Sequence, residues 1–246
     1  MTTCLNCENN FEGNFCNNCG QKSSTHRFTM HEWLHEIPHS ILHVDSGFFL
    51  TIKTLFLRHG NAVREYLAGK RKLLFSPFLY VLVWCGVYVV ISHYLENPTE
   101  TTKQIELKDL NQAFEYISEH YYKIIIILMI IPMTISTYFA YLKSGFNFAE
   151  NLVLNAYLTG QLVIADIILL LISAASFNNE HKLFLALVEF LIKYPYWFVM
   201  YWKFFKPTKW YWGILQFILS QIILWLALNI FILIAAFVLI TVKGSH

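Results

Sequence analysis

The sequence predicts an all-α membrane protein with about five transmembrane helices, additional interfacial helices and a small N-terminal module built on four cysteines. Composition supports the membrane class, because 56% of the 246 residues are hydrophobic and only 14% are charged. A soluble domain typically carries about 25% charged residues. The cysteines indicate the module, since four of the five lie within the first 19 residues.

Three regions follow one another along the chain. Residues 1–22 form the cysteine module, residues 23–72 form cytosolic juxtamembrane and interfacial helices, and residues 73–246 form a polytopic transmembrane domain. Each predicted span is close to or above the roughly 20 apolar residues that a hydrocarbon core of about 30 Å requires. The predicted spans are 75–95, 122–142, 152–174, 183–201 and 214–242.

The distribution of charge predicts the orientation. Eight lysines and arginines precede the first span, whereas the loop after it is mostly acidic. Because positive charge favours the cytoplasmic side, five spans place the N-terminus inside and the C-terminus outside. Within the outer acidic loop, apolar residues at helical spacing predict an amphipathic helix at about residues 105–121. The formal net charge of +2 argues against a nucleic-acid partner, and the basic residues before the first span suit anionic lipid head groups.

Two Cys-x-x-Cys pairs form the most specific motif in the chain. Cys4 and Cys7 are followed, after eight intervening residues, by Cys16 and Cys19. Each pair presents two thiolates to one ion, and four sulfur ligands make the closed tetrahedral site that is typical of structural zinc. On the reducing side of a membrane, thiols hold metal more often than they form disulfides. We therefore expect a zinc ribbon that docks a cytosolic protein partner.

A histidine recurs at every fourth position of residues 31–43, shortly before the first span. On a helix these imidazoles share one face with Glu32 and Glu36. The His-Glu-x-x-His spacing favours a metal site with a glutamate as general base, and iron or haem suits imidazole as well as zinc does. A third ligand would come from Asp45, His59 or another helix. Two alternatives stay open, a proton sensor and the plain polar face of an interfacial helix. The histidines are His31, His35, His39 and His43.

Several polar side chains fall inside the third and fourth predicted spans, and four of them form a candidate site. Glu189 and Lys193 are four residues apart, in the order that favours an ion pair on a helix. Counting along the helices places Asp166 at a similar depth near the middle of the membrane. Such groups cost at least a few kcal/mol each in lipid, so they form either a cation or proton site or a structural bridge between helices. The polar set is Asn155, Asp166, Glu189 and Lys193.

Four stretches of the chain, residues 15–22, 35–48, 64–71 and 148–155, carry a family resemblance. Together they resemble bacterial multi-pass membrane proteins with an N-terminal zinc ribbon, catalogued as domain of unknown function 3667. The resemblance implies the same topology, the ribbon and a bacterial inner (cytoplasmic) membrane. Where the family has a basic residue followed by proline and glycine, this chain has Arg58-His59-Gly60. The family has no agreed activity, so the resemblance implies no catalytic residue.

These patterns favour a non-enzymatic membrane protein, either transporter-like or a scaffold, whose ribbon docks a cytosolic partner. The intramembrane polar set is the reason for the transporter version. The alternative is a metal-dependent hydrolase or oxidase that acts on a lipid at the membrane surface. In that alternative the four histidines hold a second metal ion, and Glu32 or Glu36 is the catalytic base.

Overall fold

The computed structural model describes residues 1–25, 27–30, 47–95, 127–175 and 182–243. Within these residues a short hairpin is followed by seven α-helices, which confirms the predicted all-α class with an N-terminal cysteine cluster. The hairpin pairs β1 (Thr2–Thr3) with β2 (Asn10–Phe11) in antiparallel orientation. The helices are α1 (Gly47–Arg58), α2 (Gly60–Leu67), α3 (Pro77–Leu95), α4 (Ile130–Ala140), α5 (Phe148–Ala175), α6 (Lys182–Phe205) and α7 (Trp210–Lys243).

Four helical stretches are long and apolar enough to cross a membrane, and the chain is therefore a helical membrane protein. They coincide with four of the five predicted spans. The described part of the remaining predicted span, 122–142, contains the shorter apolar helix α4. Residues 122–126 of that span, the predicted outer helix at 105–121 and the histidine segment 31–43 lie outside the described residues. The four stretches are Arg71–Leu95, Phe148–Ala174, Phe184–Phe205 and Trp210–Ile230.

Helix α5 lies at the centre of the fold. Every residue from 149 to 161 is buried, because other elements enclose the first half of this helix. Within that half, Tyr157 donates a 2.6 Å hydrogen bond from its hydroxyl to the carbonyl of Phe75 and packs edge-on against Tyr66. The second half of α5 exposes large apolar side chains such as Ile168 and Leu171. That change in exposure is typical of a helix that leaves a protein core and enters lipid.

Helix α1 has one protein-facing side and one exposed apolar side. Thr51 and Leu55 are completely buried, and the Thr51 hydroxyl accepts a 2.7 Å hydrogen bond from the backbone N–H of Phe75. The opposite side exposes Phe49 and Phe56, at 77% and 63% of their surface. An apolar face left open beside the start of a membrane span is typical of a helix in the lipid–water interface.

Helix α2 crosses α6 at very short distance. A Cβ atom on Gly60 would overlap the carbonyl oxygen of Met200 and the backbone nitrogen of Phe204, so only glycine permits this approach. The preceding residue, His59, has a φ of 51°, which a proline ring cannot adopt. The turn between α1 and α2 therefore differs from the one that the family resemblance implies.

Candidate functional site

The four N-terminal cysteines converge on one point. Their Sγ atoms all lie within 4.8 Å of one another, with Cys4 and Cys19 at 3.5 Å and Cys7 and Cys16 at 3.6 Å. A tetrahedral ion with metal–sulfur bonds of about 2.3 Å would separate its ligands by about 3.8 Å. The cluster therefore has the dimensions to hold one metal ion with four sulfur ligands.

The surroundings of the cluster favour thiolate at two of the four cysteines. Burial raises the pKa of the Cys16 thiol, but backbone hydrogen bonds with Cys19 and Asn18 outweigh burial and bring this pKa down to about 6. Burial raises the pKa of Cys19 to about 11. Burial also acts on Cys4, but backbone hydrogen bonds outweigh it and lower the pKa of this thiol. The lowered pKa values of Cys4 and Cys16 favour thiolate, the metal-binding form of cysteine.

Gln21 attaches the cysteine module to the helical domain. Its side chain is buried, with the amide N–H donating to the carbonyl of Gly69 at 2.7 Å. The backbone N–H of Arg71 donates to the side-chain carbonyl oxygen of Gln21 at 3.2 Å. Leu5 packs onto Gly69, where a Cβ atom would lie only 2.6 Å from its Cδ1. The module is thus fixed against the segment that leads into α3.

A second attachment joins Arg27 to the beginning of α5. The Arg27 guanidinium donates to both carboxylate oxygens of Glu150 at 2.8 Å and to the carbonyl of Gly145 at 2.6 Å. Hydrogen bonding to Glu150 raises the pKa of Arg27 above its usual range. Glu150 also accepts from the backbone N–H of Asn147, whose own side chain accepts from the N–H of Glu150. This reciprocal capping box starts α5.

We expect Arg27→Met to lower the free energy of unfolding by more than the control variant does, because it leaves the Glu150 carboxylate without its cation. The Glu150 side chain is only 6% exposed. The control is Arg58→Met, since Arg58 pairs with Glu65 in a more exposed setting, where a loss below about 0.5 kcal/mol is expected. Unfolding in detergent, followed by circular dichroism, measures both variants. Equal losses would contradict a special role for the Arg27–Glu150 pair.

Three charged side chains meet inside the candidate membrane spans. The Lys193 ammonium on α6 forms ion pairs with Asp166 on α5 and with Glu189, one turn away, at 2.6 Å. Asp166 and Lys193 are 15% and 16% exposed, whereas Glu189 is 47% exposed. About 14 Å of helix separates Asp166 from Tyr157, and about 12 Å separates it from Ala174. We call Asp166, Glu189 and Lys193 the charge cluster.

Asn155, the fourth member of the predicted polar set, belongs to a different network. Its amide donates a 2.9 Å hydrogen bond to the Thr137 hydroxyl, and its carbonyl oxygen accepts a 2.6 Å bond from the Tyr201 hydroxyl. Asn155 is completely buried. The contacts link α4, α5 and α6 through neutral groups, so Asn155 is part of the helix packing rather than of the charge cluster.

The predicted histidine site and its glutamates, Glu32 and Glu36, lie outside the described residues, as does Asp45. His59 is described. Its ring packs at 5.3 Å from that of Tyr196, and burial, together with the positive charge of Lys203, lowers its pKa. Among the described residues, the four cysteines form the one group of three or more His, Cys, Asp and Glu side chains that lie close enough together to hold a metal ion.

Gln21, Arg27 and the capping pair Asn147 and Glu150 are structural residues that the sequence interpretation did not single out. The Asn-x-x-Glu spacing is itself a helix-start signal, so it could have placed the beginning of α5. Nothing local in the sequence identifies Gln21 or Arg27, because their partners lie far away along the chain.

Comparison with known proteins gives a family resemblance over part of the chain but no activity. No curated protein and no solved structure matches the chain. The family model that matches is described as Protein of unknown function (DUF3667), and it covers residues 45–89. That segment contains α1, α2 and most of α3. The comparison thus confirms that the chain resembles this family of unknown function.

Proposed function

We propose that the chain is a non-enzymatic membrane protein of transporter type, in which the charge cluster binds a proton or a small cation. The observation behind this proposal is a charge imbalance inside the candidate spans. Two carboxylates, Asp166 and Glu189, share the single ammonium group of Lys193. An uncompensated charge in a membrane costs at least a few kcal/mol, so a bound proton or cation would stabilise the cluster.

The exposure of the three groups gives the proposal a direction of access. Asp166 and Lys193 are mostly covered, whereas about half of the Glu189 side chain is open. Glu189 is therefore the less enclosed of the two carboxylates, and we propose it as the one that exchanges the proton or cation. The Asp166–Lys193 pair would stay in place as the fixed part of the site.

Pro195 supports an ion site at the same height. It lies inside α6, two residues after Lys193, and proline has no backbone N–H to donate to the carbonyl four residues earlier. The carbonyl of Leu191 is thereby left without its usual partner in the helix. Backbone carbonyls without a helical partner are cation ligands in transporters, and Pro195 supplies one here within a continuous helix.

The N-terminal ribbon serves as a structural clamp in this proposal. Four sulfur ligands suit zinc and leave no open coordination position for a substrate. Gln21 and Leu5 fix the ribbon to the helical domain, and Phe15, which is 62% exposed, remains available for the cytosolic partner that the sequence predicts. The lysines and arginines before the first span favour a cytoplasmic N-terminus, and the family resemblance implies a bacterial inner membrane.

Replacing all four cysteines by serine is expected to remove one zinc ion per chain and to unfold the ribbon. In comparable small segments the metal contributes on the order of 10–16 kcal/mol of apparent binding free energy. Plasma mass spectrometry of detergent-purified protein measures the metal content, and Cys85→Ser, a change inside α3, serves as the control that keeps the ion.

Metal that survives this fourfold change, and that is then lost from a His35→Ala, His39→Ala double variant, would contradict the proposal. It would favour instead the membrane-surface enzyme that uses the histidine face.

Flux measurements on Glu189→Gln test the transport function. The variant keeps the Asp166–Lys193 pair, so charge is balanced and the fold should persist, but the exposed carboxylate is gone. In vesicles that contain a pH-sensitive dye, we expect the reconstituted wild-type protein to relax an imposed pH or cation gradient, and Glu189→Gln to lose most of this flux. Glu12→Gln, a change in the ribbon, is the matched control. Wild-type flux equal to that of empty vesicles would overturn the proposal.

A further inference from the structure

A cleft of about 740 Å³ opens at the end of the helical bundle where α6 ends and α5 begins. Its walls come from the turn between α1 and α2, from α2 itself and from the last residues around the end of α6. Four basic side chains line it, namely Arg58, Arg64, Lys203 and Lys206. We call this feature the basic cleft. Its volume falls within the range of about 300–1,000 Å³ that is usual for small-molecule sites.

Two carboxylates also line the basic cleft, and each already has a basic partner. Glu65 pairs with Arg58, and Glu150 accepts two hydrogen bonds from Arg27. Within the described part of the chain, no ion pair to a carboxylate is found for Arg64, Lys203 or Lys206. The cleft therefore carries an excess of positive charge.

Arg64 is held in position, whereas the two lysines are free to move. The Arg64 guanidinium donates a 2.6 Å hydrogen bond to the carbonyl of Phe204 and lies 5.3 Å from the ring centre of Phe146. Lys203 and Lys206 are exposed. A fixed guanidinium with two mobile ammonium groups is a suitable combination for binding an anion with several oxygen atoms.

The positive charge of the cleft also affects the pKa of a neighbouring histidine. Burial and the neighbouring Lys203 lower the pKa of His59, which lines the same cleft. Leu57, on the rim, is 64% exposed and continues the open apolar side of α1. An anion in the cleft would therefore have apolar surface directly beside it, as the head group of a phospholipid does.

We propose that the basic cleft binds a phosphate-bearing anion, with a phospholipid head group as its source. The acyl chains of such a lipid would lie along the exposed side of α1, next to Phe56 and Leu57. This site is separate from the charge cluster and does not depend on transport.

Native mass spectrometry of the full-length protein tests the proposal. The protein is mixed in detergent with phosphatidylglycerol and phosphatidylcholine and is then released from the detergent. We expect the wild-type protein to retain phosphatidylglycerol preferentially. The double variant Lys203→Gln, Lys206→Asn should bind phosphatidylglycerol about 25-fold more weakly, since each basic residue near an anionic lipid contributes about fivefold. Asparagine is chosen at position 206 because this residue has a φ of 47°, which asparagine tolerates well.

Two further variants make the result specific. Lys143→Gln removes an exposed lysine next to the loop before α5 that does not line the cleft, so it should bind lipid like the wild-type protein. Asn61→Asp places a negative charge in the cleft without removing a lysine, and should weaken lipid binding. Equal lipid retention by the wild-type protein and by both cleft variants would overturn the proposal.

Inorganic phosphate distinguishes the two sources of the same chemistry. If millimolar phosphate displaces phosphatidylglycerol from the wild-type protein, the cleft is a phosphate site that a free anion can fill. If phosphate does not displace the lipid, the head group and the apolar side of α1 act together as the site. Both outcomes support an anion site in the basic cleft.

Discussion

Replacing Gly60 by alanine is expected to lower the free energy of unfolding by about 3 kcal/mol or more. The new methyl group would overlap backbone atoms of Met200 and Phe204 on α6, and backbone atoms cannot swing away as a flexible side chain does. The crossing between α2 and α6 would have to open. Because Arg64 and the walls of the basic cleft depend on that crossing, lipid retention should fall together with stability.

Gly86→Ala is the matched control for this prediction. Gly86 lies within α3, and a Cβ atom there would have no neighbour within 4 Å. Alanine has a higher helix propensity than glycine, so this change should be neutral or stabilising by up to about 1 kcal/mol. Unfolding in detergent mixtures measures both variants. If Gly60→Ala had the same free energy of unfolding as Gly86→Ala, that result would contradict the close crossing of α2 and α6.

The second large effect is expected for Lys193→Met, which should destabilise the protein by about 3–5 kcal/mol. Methionine fits an apolar setting, but the change leaves Asp166 and Glu189 facing each other without a cation between them. Removal of one partner from a buried ion pair costs more than removal of the whole pair, because the remaining charge stays desolvated.

The triple variant Asp166→Asn, Glu189→Gln, Lys193→Met separates charge from packing. It keeps the shapes of the side chains and removes every formal charge from the cluster, so its stability should return to within about 1–2 kcal/mol of the wild-type value. The same detergent unfolding measures it. A triple variant as unstable as Lys193→Met would show that packing, and not the uncompensated charge, accounts for the loss.

The sequence was sufficient to predict most of the fold, because apolar stretches long enough for a bilayer are a direct signal. The limits of individual helices were harder. The third predicted span begins at residue 152, whereas α5 begins at Phe148. A span that is defined by apolar residues alone leaves out Asn147 and Glu150. These two polar residues nevertheless cap the helix through reciprocal hydrogen bonds.

The charge cluster could be predicted in part from the sequence, whereas the hydrogen-bond network of Asn155 could not. The spacing of Glu189 and Lys193 identifies a pair on one helix face, and depth counting adds Asp166. Asn155 shares its face of α5 with Asp166, but about 16 Å of helix separates the two. At its own position on α5, Asn155 forms hydrogen bonds with Tyr201 and Thr137. No local pattern in the sequence identifies such partners.

Contacts between distant segments explain what the sequence could not supply. The hydrogen bonds of Gln21 with Gly69 and Arg71 join elements about fifty residues apart. The basic cleft likewise combines the turn between α1 and α2 with the end of α6. Only the folded arrangement shows that Arg64, Lys203 and Lys206 line one cleft.

Infrared difference spectroscopy of the protein in lipid bilayers tests the central proposal most directly, since it detects protonation and cation binding at individual carboxyl groups. On a change of pH or on addition of a monovalent cation, we expect a carboxyl band in the wild-type protein that is absent from Glu189→Gln and preserved in Glu12→Gln. Identical difference spectra for the wild-type protein and Glu189→Gln would contradict the proposal, and the charge cluster would then be a structural bridge between α5 and α6.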